Sequence, residues 1–396
     1  MQTTSRRPVT GLSWADAHTT ARDSAHPLPP EEVSPDAARG RILAAPVHAC
    51  SPVPAFDAAA MDGYAVAGRG PWTVIGLILA GAESEIDAGN RRSGLRAGFA
   101  VEIATGAAVP GGAEAVVPYE DCRRDGVVVT GTRGPRKHIR RAGDDVAVGA
   151  LIAEAGRVVT ATVAAAAVQA GVEVVRVHRR PVVELLVTGD EVVMSGRPGH
   201  GQVRDSFTGI VQSVADRAGG AVGISRHLSD DAGHMRTALG AGRGDVLVVS
   251  GSSSAGAADH LHSLLDEMGA EWLVRGVACR PGHPQGLAVF PDGRWVVSLP
   301  GNPYAGLVAA LTLLEPLLAA LAGRPSRPLP TASVTGSAKL VPGGTRIAPV
   351  RFSGPVAELL PGGGSAGLAA AAGADALAVL PDHWTDGSPA QLLAVP

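Results

Sequence analysis

The residues best placed to do chemistry are acids and hydroxyls that interrupt apolar runs. In "PVPAFDAAAMDGYAV" (52–66) a single carboxylate, Asp62, stands between a methionine and a Gly-Tyr pair. Asp-Gly is a common turn dipeptide, so the plain reading is a turn ahead of a strand. Further along, "PVVELLVTGDEVV" closes an apolar run on Gly189-Asp190-Glu191. "DVLVVSGSSSAGAAD" and "WVVSLPGNP" close in the same way, on a Ser/Gly loop (250–256) and on Pro300-Gly301-Asn302. Backbone N–H groups of a Ser/Gly loop that opens a helix can cradle an anion at the positive end of the helix dipole. The alternative there is a flexible strand-to-helix connection. Asp190 reads equally as a capping or turn residue, and Asp259 also reads as a plain N-cap for "HLHSLLDEM". Glu191, in a Gly-Asp-Glu loop after a buried strand, has little structural role to fill.

The elements that must position these loops follow from the pattern. Apolar runs without alternation are strands buried on both faces. Between 181 and 325 they alternate with helical stretches such as "DSFTGIVQSVADRAGG" and "AGHMRTALGAG", which predicts a doubly wound α/β domain. Ligands of such domains lie at the carboxyl ends of the strands, so the three loops are expected to face one crevice. Helical spacing is expected in "SWADAHTTARDSA", "SPDAARGRILAAPV" and "TATVAAAAVQAG", and short β-rich runs cut by Gly and Pro between 57 and 152. Past the Pro/Arg linker "GRPSRPLP" a small β domain is expected.

Composition narrows the function. The 396 residues are 45% hydrophobic and 18% charged, enough to bury several cores. A net charge of -3 with 3% aromatic residues argues against a nucleic-acid partner. Cys50, Cys122 and Cys279 are far apart with no CxxC pair, which predicts neither disulfides nor a zinc knuckle and fits a reducing compartment. "MQTTSRRPVTGLSW" has no apolar core of a signal peptide. "GLVAALTLLEPLLAALAG" is interrupted by Glu315 and Pro316, so a broken buried helix is expected rather than a membrane span. The expectation is a cytoplasmic protein with no membrane partner.

Six words in order, "PVPAFDAAAMDGYAV", "IATGAAVPGGAEAVVPYED", "IRRAGDDVAVGALI", "VTGDEVV", "CRPGHP" and "LPGNP", resemble the molybdopterin molybdenumtransferase family. That family includes the bacterial MoeA proteins and the E domain of gephyrin. The resemblance implies an enzyme of molybdenum cofactor biosynthesis that takes adenylylated molybdopterin and molybdate, releases AMP and inserts the metal, with Mg²⁺. It implies a multidomain α/β plus β fold. An N-terminal linker and dimerisation domain would span 1–56 and 146–180, an inserted β-rich domain 57–145, the α/β molybdopterin-binding domain 181–325 and a C-terminal β domain 326–396. It also implies a homodimer in which Asp62 reaches into the partner's crevice from its turn. By motif, Asp62, Thr105, Glu191, Asp230 and Asp259 fall at the family's functional positions, with Asp62, Glu191 and Asp259 as metal ligands. Gly189, Asp190, Ser250, Gly251, Ser254, Gly256, Arg280, His283, Pro300, Gly301, Asn302 and Ser365 fall where substrate is bound.

The departures gather where molybdate should sit. A Lys-Pro-Gly-Lys-Pro word is here "RPGHP": Arg280 keeps a permanent charge, whereas His283 is a conditional cation. Arg275 is the nearest cation to a further family lysine. Serines of the family pattern become Ala59, Ala305, Ala369 and Ala370, two glycine-loop positions become Ser252 and Ser253, and Phe207 replaces an asparagine. Two alternatives therefore stand beside the transferase. One is a divergent, non-inserting paralogue that binds molybdopterin or a protein partner as scaffold or carrier. The other is an enzyme of the same fold that hydrolyses another nucleotide-linked compound.

Overall fold

The computed structural model describes residues 11–81, 94–251, 260–361 and 364–396. The chain forms two compact units, one of residues 32–39 and 45–175, the other drawn from 1–31, 40–44 and 176–396.

The first unit is built on a six-stranded sheet. Its strands are β1 (Gly63–Val66), β2 (Trp72–Ile78), β3 (Phe99–Ile103), β4 (Ala115–Pro118), β5 (Cys122–Asp125) and β6 (Val128–Gly131), in the order β4-β1-β3-β2-β6-β5. The central strands are covered on both faces, by Ile78, Val101, Ile103 and Val116 on one and by Tyr64, Trp72, Val117 and Val129 on the other. That is why "EAVVPYE" and "FAVEI" do not alternate. Gly63 is required by a close approach: a Cβ there would stand 2.1 Å from the Val117 carbonyl oxygen. A helix, Ala161–Gln169, starts at Thr160, whose Oγ1 accepts from the Val163 amide at 3.2 Å. The helix expected in "SPDAARGRILAAPV" is only a turn: Ala38 N donates to Ser34 O, and Gly40 at φ +79° ends the run.

The second unit begins with α1 (Trp14–Asp23) and then builds the α/β sheet from β7 (Val182–Thr188), β8 (Ala221–Leu228), β9 (Val246–Ser250), β10 (Glu271–Arg275), β12 (Gly286–Val289) and β13 (Trp295–Leu299). β11 (Cys279–Arg280) leaves this sheet and is described below. The order is β8-β7-β9-β13-β12-β10, with β8, β7, β9 and β13 parallel. From β7 the chain first adds β8 on one side and then β9 on the other, so the winding reverses between β7 and β9. Val183, Leu185 and Val248 face a core shared with α1, Phe207–Ala218 and the long helical stretch from Pro303. Leu186, Leu247 and Val249 face Ala232–Ala241 and Leu261–Glu267.

The helical stretch Pro303–Leu321 is the one helix among the described residues long and apolar enough to cross a membrane, and it is 83% buried in this core. Residues Ala310–Leu314 form a π-helical turn. Pro316 has no N–H for the Thr312 carbonyl, and the wider turn accommodates that loss. The Thr312 hydroxyl donates to Val308 O at 2.7 Å and accepts from Trp14 Nε1 at 3.0 Å, fastening α1 to the turn.

β11 joins the last sheet with β14 (Thr331–Thr335), β15 (Thr345–Ser353), β16 (Val356–Leu359), β17 (Ala376–Pro381) and β18 (Pro389–Ala394), in the order β11-β15-β16-β14-β18-β17. An added β15–β17 pairing closes it into a small barrel around Val334, Val350, Ala378 and Leu392.

Candidate functional site

The carboxyl ends of β7, β8, β9 and β13 lie on one edge of the sheet because the strands are parallel. β10 and β13 both run antiparallel to β12, so the loop after β10, which carries Arg280 and His283, leaves by the same edge. Five chain segments therefore leave by one edge of the sheet, and between β7 and β9 the winding reverses there, the usual ligand crevice of such sheets.

Side-chain hydrogen bonds lock the segments together. Thr188 Oγ1, at the end of β7, donates to Ser250 O at 2.7 Å, and Gly251 N donates to Leu299 O at 3.1 Å. Gly301 packs against Gly251. Gly189 takes φ +124°, and a Cβ there would come within 2.5 Å of Glu191 Oε2, so the Glu191 carboxylate folds back over the bare Gly189 backbone. His227 Nε2 donates to Gly189 O at 2.8 Å. Asp190 caps no helix: its Oδ1 accepts from the Asp230 amide at 3.3 Å and ties the β7 loop to the β8 loop. Asp231, the second acid of "SDD", caps the next helix by accepting from His234 N at 2.7 Å, and that bond holds its carboxyl below the usual range. The Asp230 carboxylate is exposed.

On the far side, Asn302 Nδ2 donates to Ser365 Oγ at 3.0 Å, and Ala305 N donates to Ser365 O at 3.2 Å. Ala369 and Ala370 lie in a short helix just beyond. Tyr304 OH donates to Ile347 O at 3.2 Å, and burial pushes this hydroxyl well above its ordinary pKa. Arg280 is exposed, and His283 is half-buried with Nδ1 2.8 Å from Val277 O. A carbonyl only accepts, so Nδ1 carries the hydrogen, and Nε2 becomes a donor only in the protonated ring. Arg275 is engaged elsewhere, bonded to Asp266 at 3.0 Å and stacked 5.1 Å over Trp272. Cys279 is buried and its thiol is pushed up to about 12, which removes it as a thiolate ligand.

In the other unit the Asp62 turn is braced on both sides. Thr105 N and Oγ1 both donate to Asp62 Oδ1, at 2.7 and 3.0 Å, and both residues are exposed. Asp57, earlier in the same word, accepts from Ala142 N at 2.9 Å and from Arg141 at 2.5 Å, which joins "FDAAAMDGY" to "IRRAGDD".

Of the residues singled out from sequence, Gly189, Asp190, Glu191, Asp230, Gly251, Arg280, His283, Pro300, Gly301, Asn302 and Ser365 belong to the segments at the α/β edge. Ser250 is buried, and its hydroxyl has no partner among the described residues. Ser254, Gly256 and Asp259 lie outside the described residues, as do Ser252 and Ser253. Sequence reasoning missed Thr188, His227 and Tyr304. Thr188 carried a signal, since it sits inside the "VTGDEVV" word, and Tyr304 directly follows "LPGNP". Among the described residues no three His, Cys, Asp or Glu side chains cluster to hold a metal by themselves.

Comparison with known proteins agrees with this fold. The profile described as "MoeA N-terminal region (domain I and II)" matches residues 12–171, and "Probable molybdopterin binding domain" matches 184–320. The chain is 35% identical to molybdopterin molybdenumtransferase 2 of Mycobacterium tuberculosis, over 76% of this chain and 78% of that one. It is 31% identical to the molybdopterin molybdenumtransferase of Haemophilus influenzae, over 75% and 74%. A crystal structure of the molybdopterin biosynthesis MoeA protein from Pyrococcus horikosii superposes with a TM-score of 0.77 at 26% identity, covering 98% of this chain and 100% of that one.

Proposed function

Because this chain belongs to the molybdopterin molybdenumtransferase family, the enzymes of molybdate insertion in molybdenum cofactor biosynthesis, we propose that its α/β crevice takes adenylylated molybdopterin and cleaves it to AMP. The observation that supports this most is the convergence of Gly189–Glu191, Gly251 and Pro300–Asn302 on one edge, locked by Thr188 and Ser365. Nothing in the fold or among its relatives favours the non-inserting carrier.

In this reading the Ser/Gly word that follows β9 in the sequence receives the phosphate, and Arg280 receives oxyanion charge. Glu191 and Asp190 offer hard carboxylate oxygens at the mouth. Mg²⁺ characteristically takes carboxylate oxygens and fills its shell with substrate phosphates and water, and the exposed Asp190 and Glu191 carboxylates fit that chemistry. When bound, it supplies charge neutralisation on the bridging phosphate oxygens. Glu191, Asp259 and the partner subunit's Asp62 are the proposed ligands, and Asp230 orients the attacking water. The Thr105 hydroxyl holds Asp62 in one rotamer.

Glu191→Gln keeps size and hydrogen bonding while removing the charge. AMP release from adenylylated molybdopterin should fall by at least a hundredfold, the scale of a lost acid–base or metal-ligating group, with an unchanged melting temperature. Turnover equal to wild type would sink this assignment. Sharing Asp62 between subunits requires a homodimer, which light scattering at micromolar concentration reads directly; a monomer there rules the shared site out.

A further inference from the structure

Phe207 stands in a chain of contacts that runs between two segments of the α/β edge. Val192–Val193 pairs in parallel with Val203–Arg204. Val203 N donates to Glu191 O at 2.9 Å, and Asp205 N donates to Val193 O at 3.1 Å. The backbone that carries Glu191 is therefore held by residues 203–205. Asp205 Oδ1 in turn accepts from the amides of Phe207 and Thr208, at 2.9 and 3.4 Å, which fixes the first turn of the next helix. Phe207 opens that helix and is buried in the core, only 7% exposed. Its ring lies against Gly306, inside the helix Pro303–Ala309. A Cβ at position 306 would overlap Phe207 Cε1 and stand 2.9 Å from Cζ and 3.1 Å from Pro300 O. Glycine is a poor residue for a helix interior, since it has the most backbone freedom to lose. Here the ring fills the space that a side chain would need. Gly306 N donates to Asn302 O at 2.9 Å, the bond that starts this helix on the Pro300–Asn302 loop.

We propose that the Phe207 ring, seated on Gly306, is a wedge that positions the Glu191 segment against the Pro300–Asn302 loop for the reaction. The proposal rests on the transferase reading, in which Glu191 holds the metal and the Pro300–Asn302 loop borders the substrate. The ring touches no reacting atom. It acts because a close-packed interior passes displacement on instead of absorbing it. A shift of the ring reaches Glu191 through the bonds of residues 203–205 and reaches Asn302 through the Gly306 amide. Misplacing groups at a reacting centre by about 1 Å costs on the order of a hundredfold in rate. The loss should fall on kcat, because the Ser/Gly word and Arg280, which take no part in this chain of contacts, still bind the substrate.

Wild type, Phe207→Ala, Gly306→Ala and the double variant are compared by AMP release from adenylylated molybdopterin, urea unfolding and amide hydrogen exchange. Phe207→Ala should lower kcat by about ten- to a hundredfold and leave KM within about threefold of wild type. Alanine is the better helix former, so Gly306→Ala should raise the urea midpoint and spare turnover if the ring contact carries nothing. With the wedge in place it should instead lower the midpoint and cut kcat by about tenfold, since the ring must move. In the Phe207→Ala background the sign should reverse: Gly306→Ala then raises the midpoint and costs no further kcat. In Phe207→Ala the amides of Val203, Asp205 and Gly306 should also exchange about tenfold faster. Wild-type kcat in Phe207→Ala overturns the wedge, as do additive effects of the two substitutions or faster exchange confined to the Phe207–Ala218 helix. Should Phe207→Ala not fold, Gly306→Ala carries the test, because it adds a group: wild-type kcat there overturns the wedge. A wild type that binds adenylylated molybdopterin and releases no AMP removes the transferase chemistry instead, and hydrogen exchange then judges the wedge by itself.

Discussion

Single residues in this protein act through what their neighbours leave open. Glu191 lies over Gly189 because no side chain fills that space, and Gly189 holds φ +124°, a conformation other residues rarely adopt. Gly189→Ala should therefore do two things. It should displace the Glu191 carboxylate and depress AMP release by at least tenfold, and it should lower stability by about 1–3 kcal/mol from backbone strain. Steady-state turnover beside a urea melt separates the two effects; wild-type turnover would mean that the Glu191 position does not matter. Sequence made Glu191 and Gly189 visible, since a Gly-Asp-Glu word after an apolar run has few structural uses. It left Asp190 open between cap and turn, and the choice was made by an amide on another strand, that of Asp230. His227 was invisible in sequence because its role depends on a carbonyl 38 positions away in the chain.

Whole elements are held by a few polar contacts set in apolar packing. The helical stretch from Pro303 carries the "PGNP" loop at its start, and α1 secures it at the π-turn through Trp14 and Thr312. Thr312→Val keeps the shape but leaves the Trp14 N–H buried without an acceptor. The cost should be about 1–3 kcal/mol in denaturant unfolding, the penalty for an unsatisfied buried donor. No change in unfolding midpoint would show that the contact is dispensable. Pro316 and the apolar run made a broken buried helix legible in the sequence. The π-turn and its anchor were not legible, since Trp14 and Thr312 are 298 positions apart. Strand existence was read well in the α/β region. The helix expected in "SPDAARGRILAAPV" failed because Gly40 takes a left-handed turn and only one i→i−4 hydrogen bond forms, that of Ala38.

At the scale of the molecule, pH acts on stability through a half-buried histidine. His18 stacks on Trp14 at 5.1 Å, and burial, then the Arg22 charge, lower its pKa to about 4. The folded state thus refuses a proton that the unfolded chain takes up below about 6.5. Its contribution is fully present above 6.5 and is lost as pH falls towards about 4, amounting to roughly 3 kcal/mol at most. His18→Gln should remove this part of the acid destabilisation, so its unfolding free energy should change less than that of wild type between pH 7 and pH 4.5. Parallel profiles would show that His18 plays no part. The sequence by itself determined the fold class and the strand ends on which the Gly189–Glu191 and Pro300–Asn302 loops stand, because apolar period and loop composition are local properties. Only the tertiary structure decided which acid is a cap, which cation is engaged elsewhere and which arginine stands beside Arg280. Those outcomes depend on strand order and register, which bring residues 279–280 next to 345–346 and which no local spacing encodes.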